Sequence, residues 1–366
     1  MGYVENRIFF LESSKIDCLV CPEALRSDVV KPKFCDLASE KKAHFRNALV
    51  EWFQIDGRDY PWRRTRDAYA ILVSEVMLQQ TRLSVVLEKG YYERFMHAFP
   101  DVWALAEAGE DELLRVWEGL GYYRRARQLQ AAARALIGEH GGVFPDNHAG
   151  LLALPGVGKY TAGAVLSFAF DHAAALVDGN VLRVFSRLFD DATPVDSTSG
   201  IKTAWQRAES MLDSRRPRLY NSALMELGQR ICKTGIPDCN HCPVASFCLT
   251  NSPEKLPCKK KITTITELDE IVIFAVNDRQ EILLSCETGS RRSGLWRLPA
   301  RSLESLKTAH LLTELTYCIT RYRVRLRVFE EQNAGLLPGE VWMDRQALEN
   351  LPVGAPYRKV LRQMLT

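Results

Sequence analysis

The sequence predicts a multi-domain chain: an all-α domain, a short linker, and then a smaller α+β domain. Three observations carry this. From about Ala43 to Arg230, apolar residues recur at three- and four-residue spacing in segments broken by Gly and Pro. Residues 251–266 then change character, with Pro253, Pro257 and the run Lys259-Lys260-Lys261, and read as a linker. Beyond the linker the apolar period becomes two, as in strands. At 366 residues, a prior of about 150 residues per domain also gives two to three domains. Hydrophobic residues make up 46% and charged residues 25%, which excludes a disordered chain. The net charge is only +3, so a nucleic-acid partner has to be argued from where the arginines sit.

Residues 1–40 show no lasting period and read as an N-terminal extension without fixed structure. Cys18-x-x-Cys21 with Cys35 and His44 offers a loose Cys3His zinc set as the alternative. Glu5, Arg7, Glu12, Lys15 and Asp17 interrupt any signal-peptide core. No apolar run approaches the roughly 20 residues that a membrane helix needs. The expected place is therefore the cytoplasm (the nucleoid, in a bacterium), with no membrane partner. Thiols stay reduced there, so metal is the first explanation for ten cysteines.

Within a helical domain of residues 41–231, the period predicts helices over Ile71–Gln80, Leu83–Phe95, Asp111–Glu118 and Tyr123–Ile137. Further helices follow over Thr161–Phe170, Val181–Phe189, Thr203–Leu212 and Asn221–Ile231. In the second domain, residues 267–366, Ile271–Val276 reads as a strand. Asn277-Asp278 reads as its turn and Glu281–Cys286 as its hairpin partner. Thr316–Phe329 is one more alternating stretch, and helical signals cover 304–315 and 355–365.

Cys232-x6-Cys239-x2-Cys242-x5-Cys248, in a loop spanning 232–250, is the most specific signal. Four thiolates suit tetrahedral zinc or an iron–sulfur cluster. Zinc ribbons repeat their CxxC pair. Here it occurs once, with unequal arms, which favours a 4Fe–4S cluster. Leu154-Pro155-Gly156-Val157-Gly158-Lys159-Tyr160 joins two helical segments as a hairpin near 154–165. Its glycines let backbone amides face a phosphate at a helix N-terminus.

Glu75 lies on an apolar helical stretch, where burial would raise its pKa and make it a general acid. The plain alternative is an exposed Glu on a helix edge. Asp178 precedes a helix and reads as an N-cap; the helix N-terminus would keep it ionised for a second role. Arg58, Arg63, Arg64 and Arg66 surround Trp62, and Arg124, Arg125 and Arg127 follow Tyr122-Tyr123. Such runs are either solvated faces or, beside aromatics, backbone-contacting and base-stacking surfaces.

Ser74-Glu75-Val76-Met77-Leu78-Gln79-Gln80-Thr81, Gly119–Arg127, Leu154–Gly163, Val177-Asp178-Gly179-Asn180-Val181 and the cysteine loop occur in that order. The chain thereby resembles the A/G-specific adenine DNA glycosylases, the MutY family of the endonuclease III, or helix-hairpin-helix, superfamily. The resemblance covers about 43–250 and, more weakly, 265–366. It implies an all-α helix-hairpin-helix glycosylase core with an iron–sulfur cluster loop, followed by an α+β Nudix-like domain. It also implies base-excision repair: hydrolytic removal of adenine mispaired with 8-oxoguanine or guanine in duplex DNA, by a monomer.

Glu75 would protonate the adenine, and Asp178, with Asn180 beside it in the motif, would stabilise the sugar cation. Tyr160 stands where bifunctional relatives carry a Lys, so strand cleavage is not expected. Gln80 and Tyr122 would wedge into the duplex, and Gly156, Gly158, Lys159, Arg124 and Arg125 would contact DNA. Trp62, Arg63, Leu78 and Ser222 would line the adenine pocket. Ser222 replaces the family's Gln or Glu and is too short for the same hydrogen bond to adenine.

Gly294-Leu295-Trp296-Arg297-Leu298-Pro299 resembles the Nudix-like domain. Only Glu304 and Glu314 stand in for the Nudix carboxylates, so no pyrophosphatase activity is expected. Ile319, Thr320 and Arg321 fall where the family recognises 8-oxoguanine. Arg321 replaces a His and has no acceptor, which implies weaker discrimination of 8-oxoguanine. Two other readings remain: a thymine or other mismatch glycosylase of the superfamily, and a non-catalytic iron–sulfur DNA-binding redox sensor.

Overall fold

The computed structural model describes residues 39–260, 264–289, 292–306, 309–319, 321–332 and 334–365. The expected extension up to residue 38, with Cys18, Cys21 and Cys35, lies outside the described residues, as does Thr320. The described residues form two compact units that divide near residue 262.

The first unit is helical. Its helices are α1 (Ser39–Asp56), α2 (Ala68–Leu78), α3 (Leu83–Glu88), α4 (Tyr91–Ala98), α5 (Val102–Glu107) and α6 (Glu110–Val116). They continue with α7 (Arg124–His140), α8 (His148–Ala153), α9 (Lys159–Phe168), α10 (Gly179–Leu188), α11 (Thr198–Met211) and α12 (Pro217–Glu226). Asp67 starts α2 by accepting from the Tyr69 and Ala70 amides at 3.1 and 3.2 Å. Every residue of α2 from Ala68 to Met77 is buried. It is the central helix, apolar on all sides except at Ser74 and Glu75. A second centre of packing joins α1, α9, α10, α11 and α12 through Phe45, Leu49, Phe185, Met211, Tyr220 and Leu224.

Two helical expectations change. Leu83–Phe95 is two helices, because Gly90 takes a left-handed φ of 59° between them. Asn221–Ile231 is an α-helix only as far as Glu226. Leu227–Ile231 then widens into a π-helical turn, closed by the Cys232 amide donating to the Leu227 carbonyl at 2.7 Å.

The second unit has two three-stranded sheets, ordered β1-β5-β4 and β3-β2-β6. The strands are β1 (Thr266–Phe274), β2 (Ile282–Cys286), β3 (Trp296–Arg297), β4 (Leu311–Ile319), β5 (Tyr322–Glu330) and β6 (Glu340–Met343). Helices α13 (Arg345–Asn350) and α14 (Ala355–Met364) follow. Tyr357, Val360 and Leu361 of α14 pack against Val272, Leu284 and Val328.

Two expectations fail here. The residues of Glu281–Cys286 are not the ladder partner of the first strand. The turn at Asn277 forms, and a single bridge joins Val276 to Ile282, but β1 pairs in parallel with β5 along its whole length. Thr316–Phe329 belongs to two strands of one hairpin, β4 and β5. Residues 304–315 are not helical: a short 3-10 turn covers Leu303–Leu306, and β4 begins at Leu311. Leu306, Ala309, Leu312 and Leu315 imitate a helical spacing. The ladder of β4 against β5 overrides it, because pairing depends on a partner that no local window contains. Glu304 thus sits in the 3-10 turn and Glu314 on a strand, not together on one helix.

Candidate active site

Glu75, on buried α2, is 4% exposed, so it is not a helix-edge residue. Tyr160, at the second position of α9, donates its hydroxyl to Glu75 Oε2 at 2.5 Å. Burial raises the Glu75 carboxyl to about 7. The Tyr160 hydrogen bond pulls it down, and the Asp178 charge pushes it further up. The carboxyl is therefore largely protonated just below neutral pH.

Asp178 is the N-cap of α10, accepting from the Val181 amide at 2.7 Å and from Asn180 Nδ2 at 2.7 Å. It is also a site residue, since Glu75 and Asp178 line the same cleft of about 1370 Å³. Its carboxyl feels opposing effects. Burial raises the Asp178 carboxyl, and the hydrogen bonds from Val181 and Asn180 only oppose that.

The cleft also takes in Gln80, Gly156, Gly158, Lys159 and Asn180. The hairpin between α8 and α9 builds one wall. Gly156 has φ of 76°, and a Cβ there would stand 2.7 Å from the Gln128 Cβ, so only glycine fits. The Lys159 ammonium turns toward α11, lying 3.8 Å from the Trp205 ring centroid and 3.3 Å from a Glu209 carboxylate oxygen. Behind the cleft is an inner pocket of about 40 Å³, lined by Trp62, Arg63, Glu75, Leu78 and Ser222. That is room for a few waters, not for a base. A base can enter only if the pocket opens.

Not every expected residue points where the resemblance put it. Arg63 is drawn into an ion pair with Glu226, a carboxylate with 0% side-chain exposure that also takes Arg230 at 2.8 Å and the Arg58 amide at 2.9 Å. Arg125 is a clear correction: it is 7% exposed and does not face DNA. Its guanidinium donates to the Val76 and Met77 carbonyls at 2.9 and 3.0 Å and to the Gln79 carbonyl. It also reaches Thr81 Oγ1 and the Leu120 and Gly121 carbonyls, at 3.1, 3.0 and 3.2 Å. These bonds satisfy the orphan carbonyls at the end of α2. They also brace the neighbours of Gln80 and Tyr122, two exposed residues with left-handed φ of 57° and 48°. Arg124, next in sequence, is exposed.

Three residues escaped the sequence reading. Glu226 had a signal: an acid between Met225 and Leu227 on an apolar helical face. Arg183 donates to Asn180 Oδ1 at 2.9 Å and to the Gly228 and Cys232 carbonyls at 2.8 Å, joining the Asp178 segment to the first loop cysteine. Gln229 lines both the cleft and the inner pocket. Neither of the last two carried a local signal.

In the cysteine loop, Arg187 is 1% exposed and donates to Cys232 Sγ at 3.4 Å, and to the Lys233 and Gly235 carbonyls at 2.8 Å. Burial pushes the Cys242 thiol up to about 11, and the thiols of Cys232, Cys248 and Cys239 push it further. Among the described residues, however, no group of three or more His, Cys, Asp or Glu is gathered so as to hold a metal ion. The loop is not a preformed single-ion site.

In the second unit, Ile319 ends β4 and Arg321 occupies the hairpin turn. Its guanidinium lies 5.2 Å from the Tyr322 ring centroid and donates to the Tyr322 hydroxyl at 3.1 Å.

The cleft thus brings together a helical hairpin, a buried acid and a second carboxylate. Residues 73–206 match the HhH-GPD superfamily of base excision DNA repair proteins. A solved thermostable thymine-DNA glycosylase is 32% identical with a TM-score of 0.52, over 57% of this chain and 95% of that one. The chain belongs to the HhH-GPD superfamily. Curated relatives of the chain include adenine DNA glycosylases. That of Rattus norvegicus is 45% identical over 56% of this chain and 41% of its own length. That of Buchnera aphidicola subsp. Baizongia pistaciae is 36% identical over 59% and 62%. The chain thus spans between about two fifths and three fifths of the length of these relatives.

Proposed function

We propose that this chain is a base-excision repair enzyme that hydrolyses the N-glycosidic bond of adenine mispaired with 8-oxoguanine or guanine in duplex DNA. The observation that carries it is the Glu75 carboxyl, raised to about 7 and held by Tyr160 in the cleft that Asp178 also lines. Adenine turns out of the stack into the opened inner pocket. Glu75 gives its proton to the departing base, the C–N bond breaks, and the carboxylate of Asp178 faces the developing sugar cation. Water adds to the sugar, and its proton returns to Glu75. Trp62, Arg63, Leu78 and Ser222 shape the base pocket. Gln80 and Tyr122 wedge the duplex, and Gly156, Gly158, Lys159 and Arg124 hold its backbone.

The cysteines at 232, 239, 242 and 248 would hold a 4Fe–4S cluster with a structural role. The buried Arg187 beside Cys232 suits an anionic cluster of thiolates. We expect the protein, purified without oxygen, to be brown and to carry about four irons per chain by elemental analysis. Stoichiometric zinc without iron would overturn this. The domain layout proposed is a glycosylase domain of residues 41–231, the cluster loop, a linker and a Nudix-like domain of residues 267–366. There Ile319, Thr320 and Arg321 would meet 8-oxoguanine. The enzyme would act as a monomer wherever the cell keeps its DNA.

A thymine-mismatch glycosylase is the second reading, favoured by the short Ser222 in the base pocket. A redox sensor would need neither Glu75 nor its Tyr160 partner. Duplexes with adenine opposite 8-oxoguanine, guanine or cytosine, and thymine opposite guanine, followed by alkaline cleavage, separate these readings. Release of adenine opposite 8-oxoguanine and guanine supports the first; release of thymine alone supports the second; no release at all leaves the sensor.

The phenol of Tyr160 forms no Schiff base, so the proposed enzyme does not cut the strand. Tyr160→Lys is expected to gain strand nicking and a borohydride-trapped covalent adduct with DNA. A strong adduct with the wild type would overturn the monofunctional reading, with Lys159 as the first amine to test.

A further inference from the structure

Gln229, which lines the inner pocket, carries a polar atom without a partner. Gln229 Oε1 is buried and makes no hydrogen bond. A buried acceptor in that state costs free energy until something donates to it. Ser222, Met225 and Gln229 follow one another at helical spacings of three and four, and all three line the pocket. Ser222 reaches only the pocket, whereas Gln229 borders both the pocket and the cleft. Gln229 therefore stands at the mouth through which a base enters. The π-helical turn Leu227–Ile231 sets it there, with the extra residue that such a turn inserts.

We propose that Gln229 is the residue that reads the exocyclic amino group of the target purine, a task for which Ser222 is too short. The inference rests on the adenine reading above and deepens it. The amide oxygen accepts from the 6-amino group. Unsubstituted purine has no 6-amino group and would leave the buried oxygen unpartnered.

The test compares single-turnover excision of adenine and of unsubstituted purine, each opposite guanine, by wild type, Gln229→Leu and Gln229→Glu. The preference for adenine over purine should fall about tenfold in Gln229→Leu. It should persist in Gln229→Glu, whose carboxylate still accepts. Purine excision by Gln229→Leu should stay within about twofold of wild type, which also shows that the variant is folded. Should Gln229→Leu keep the wild-type ratio, whether both rates persist or both fall together, the inference is overturned. A wild-type enzyme that releases no adenine refutes the adenine reading itself, and with it this inference, before any variant is compared.

Discussion

Glu75→Gln is expected to bind mispaired duplex at near wild-type affinity while releasing adenine about a thousandfold more slowly. Glutamine keeps the shape and can still accept from Tyr160, but it has no proton to give, and general acid catalysis is worth about 10²–10⁴ in rate. With the Glu75 carboxyl at about 7, the wild-type rate should be level below that pH. It should fall about tenfold per pH unit above it, and the variant should lose this limb. Stability gives an independent readout. The carboxyl rises from an ordinary 4.5 to about 7 on folding, so its neutral form is favoured by burial. That contribution is fully present below about pH 4.5 and is lost as pH rises through about 7. Removing the titration should therefore stabilise the protein at pH 8 relative to pH 5, by up to about 3 kcal/mol. Equal melting shifts at both values, with a pH-rate profile unchanged in shape, would show that another group is the acid.

Arg125→Leu is expected to destabilise the helical unit by about 3–5 kcal/mol, because five backbone carbonyls and the Thr81 hydroxyl lose their buried donor. For a unit of this size that is on the order of 10 °C in melting temperature. The loss should extend to function, since the same guanidinium braces both sides of Gln80 and Tyr122. Arg124→Ala should do the reverse: unchanged stability, weaker DNA binding and a shallower salt dependence. If Arg125→Leu melts like wild type and instead flattens the salt slope, Arg125 meets phosphate and not the protein's own carbonyls.

These two residues also show how far the sequence reaches. The all-α half, the α+β half, the hairpin glycines and the cysteine spacing were legible from local chemistry (a period, a turn or a spacing), whereas Glu75 and Asp178 were singled out by the motifs of the family resemblance. Asp178 was legible as an N-cap, which the structure keeps, and it also lines the cleft. The direction of a side chain was not legible. Arg125 lies beside exposed Tyr122 and Arg124 and reads as surface, but its partners come from residues 76–81, nearly fifty positions earlier. Arg63 lines the inner pocket as expected, but its partner, Glu226, lies 163 residues later.

Strand partners escaped for the same reason. Local alternation cannot say that β1 joins β5 in parallel, and the hydrophobic spacing before β4 looks helical until the ladder forms. The sequence by itself determined which reactive groups the chain carries: the carboxylates of Glu75 and Asp178, the phenol of Tyr160 and the four loop thiols. Only the tertiary structure decided the state in which they act. It put Tyr160 against Glu75 across 85 positions, buried that carboxyl until its proton stayed on near neutral pH, and left Gln229 Oε1 without a donor. Periodicity and capping are properties of neighbours along the chain, whereas burial, charge state and hydrogen-bond partners are set by segments far apart in sequence that meet only on folding.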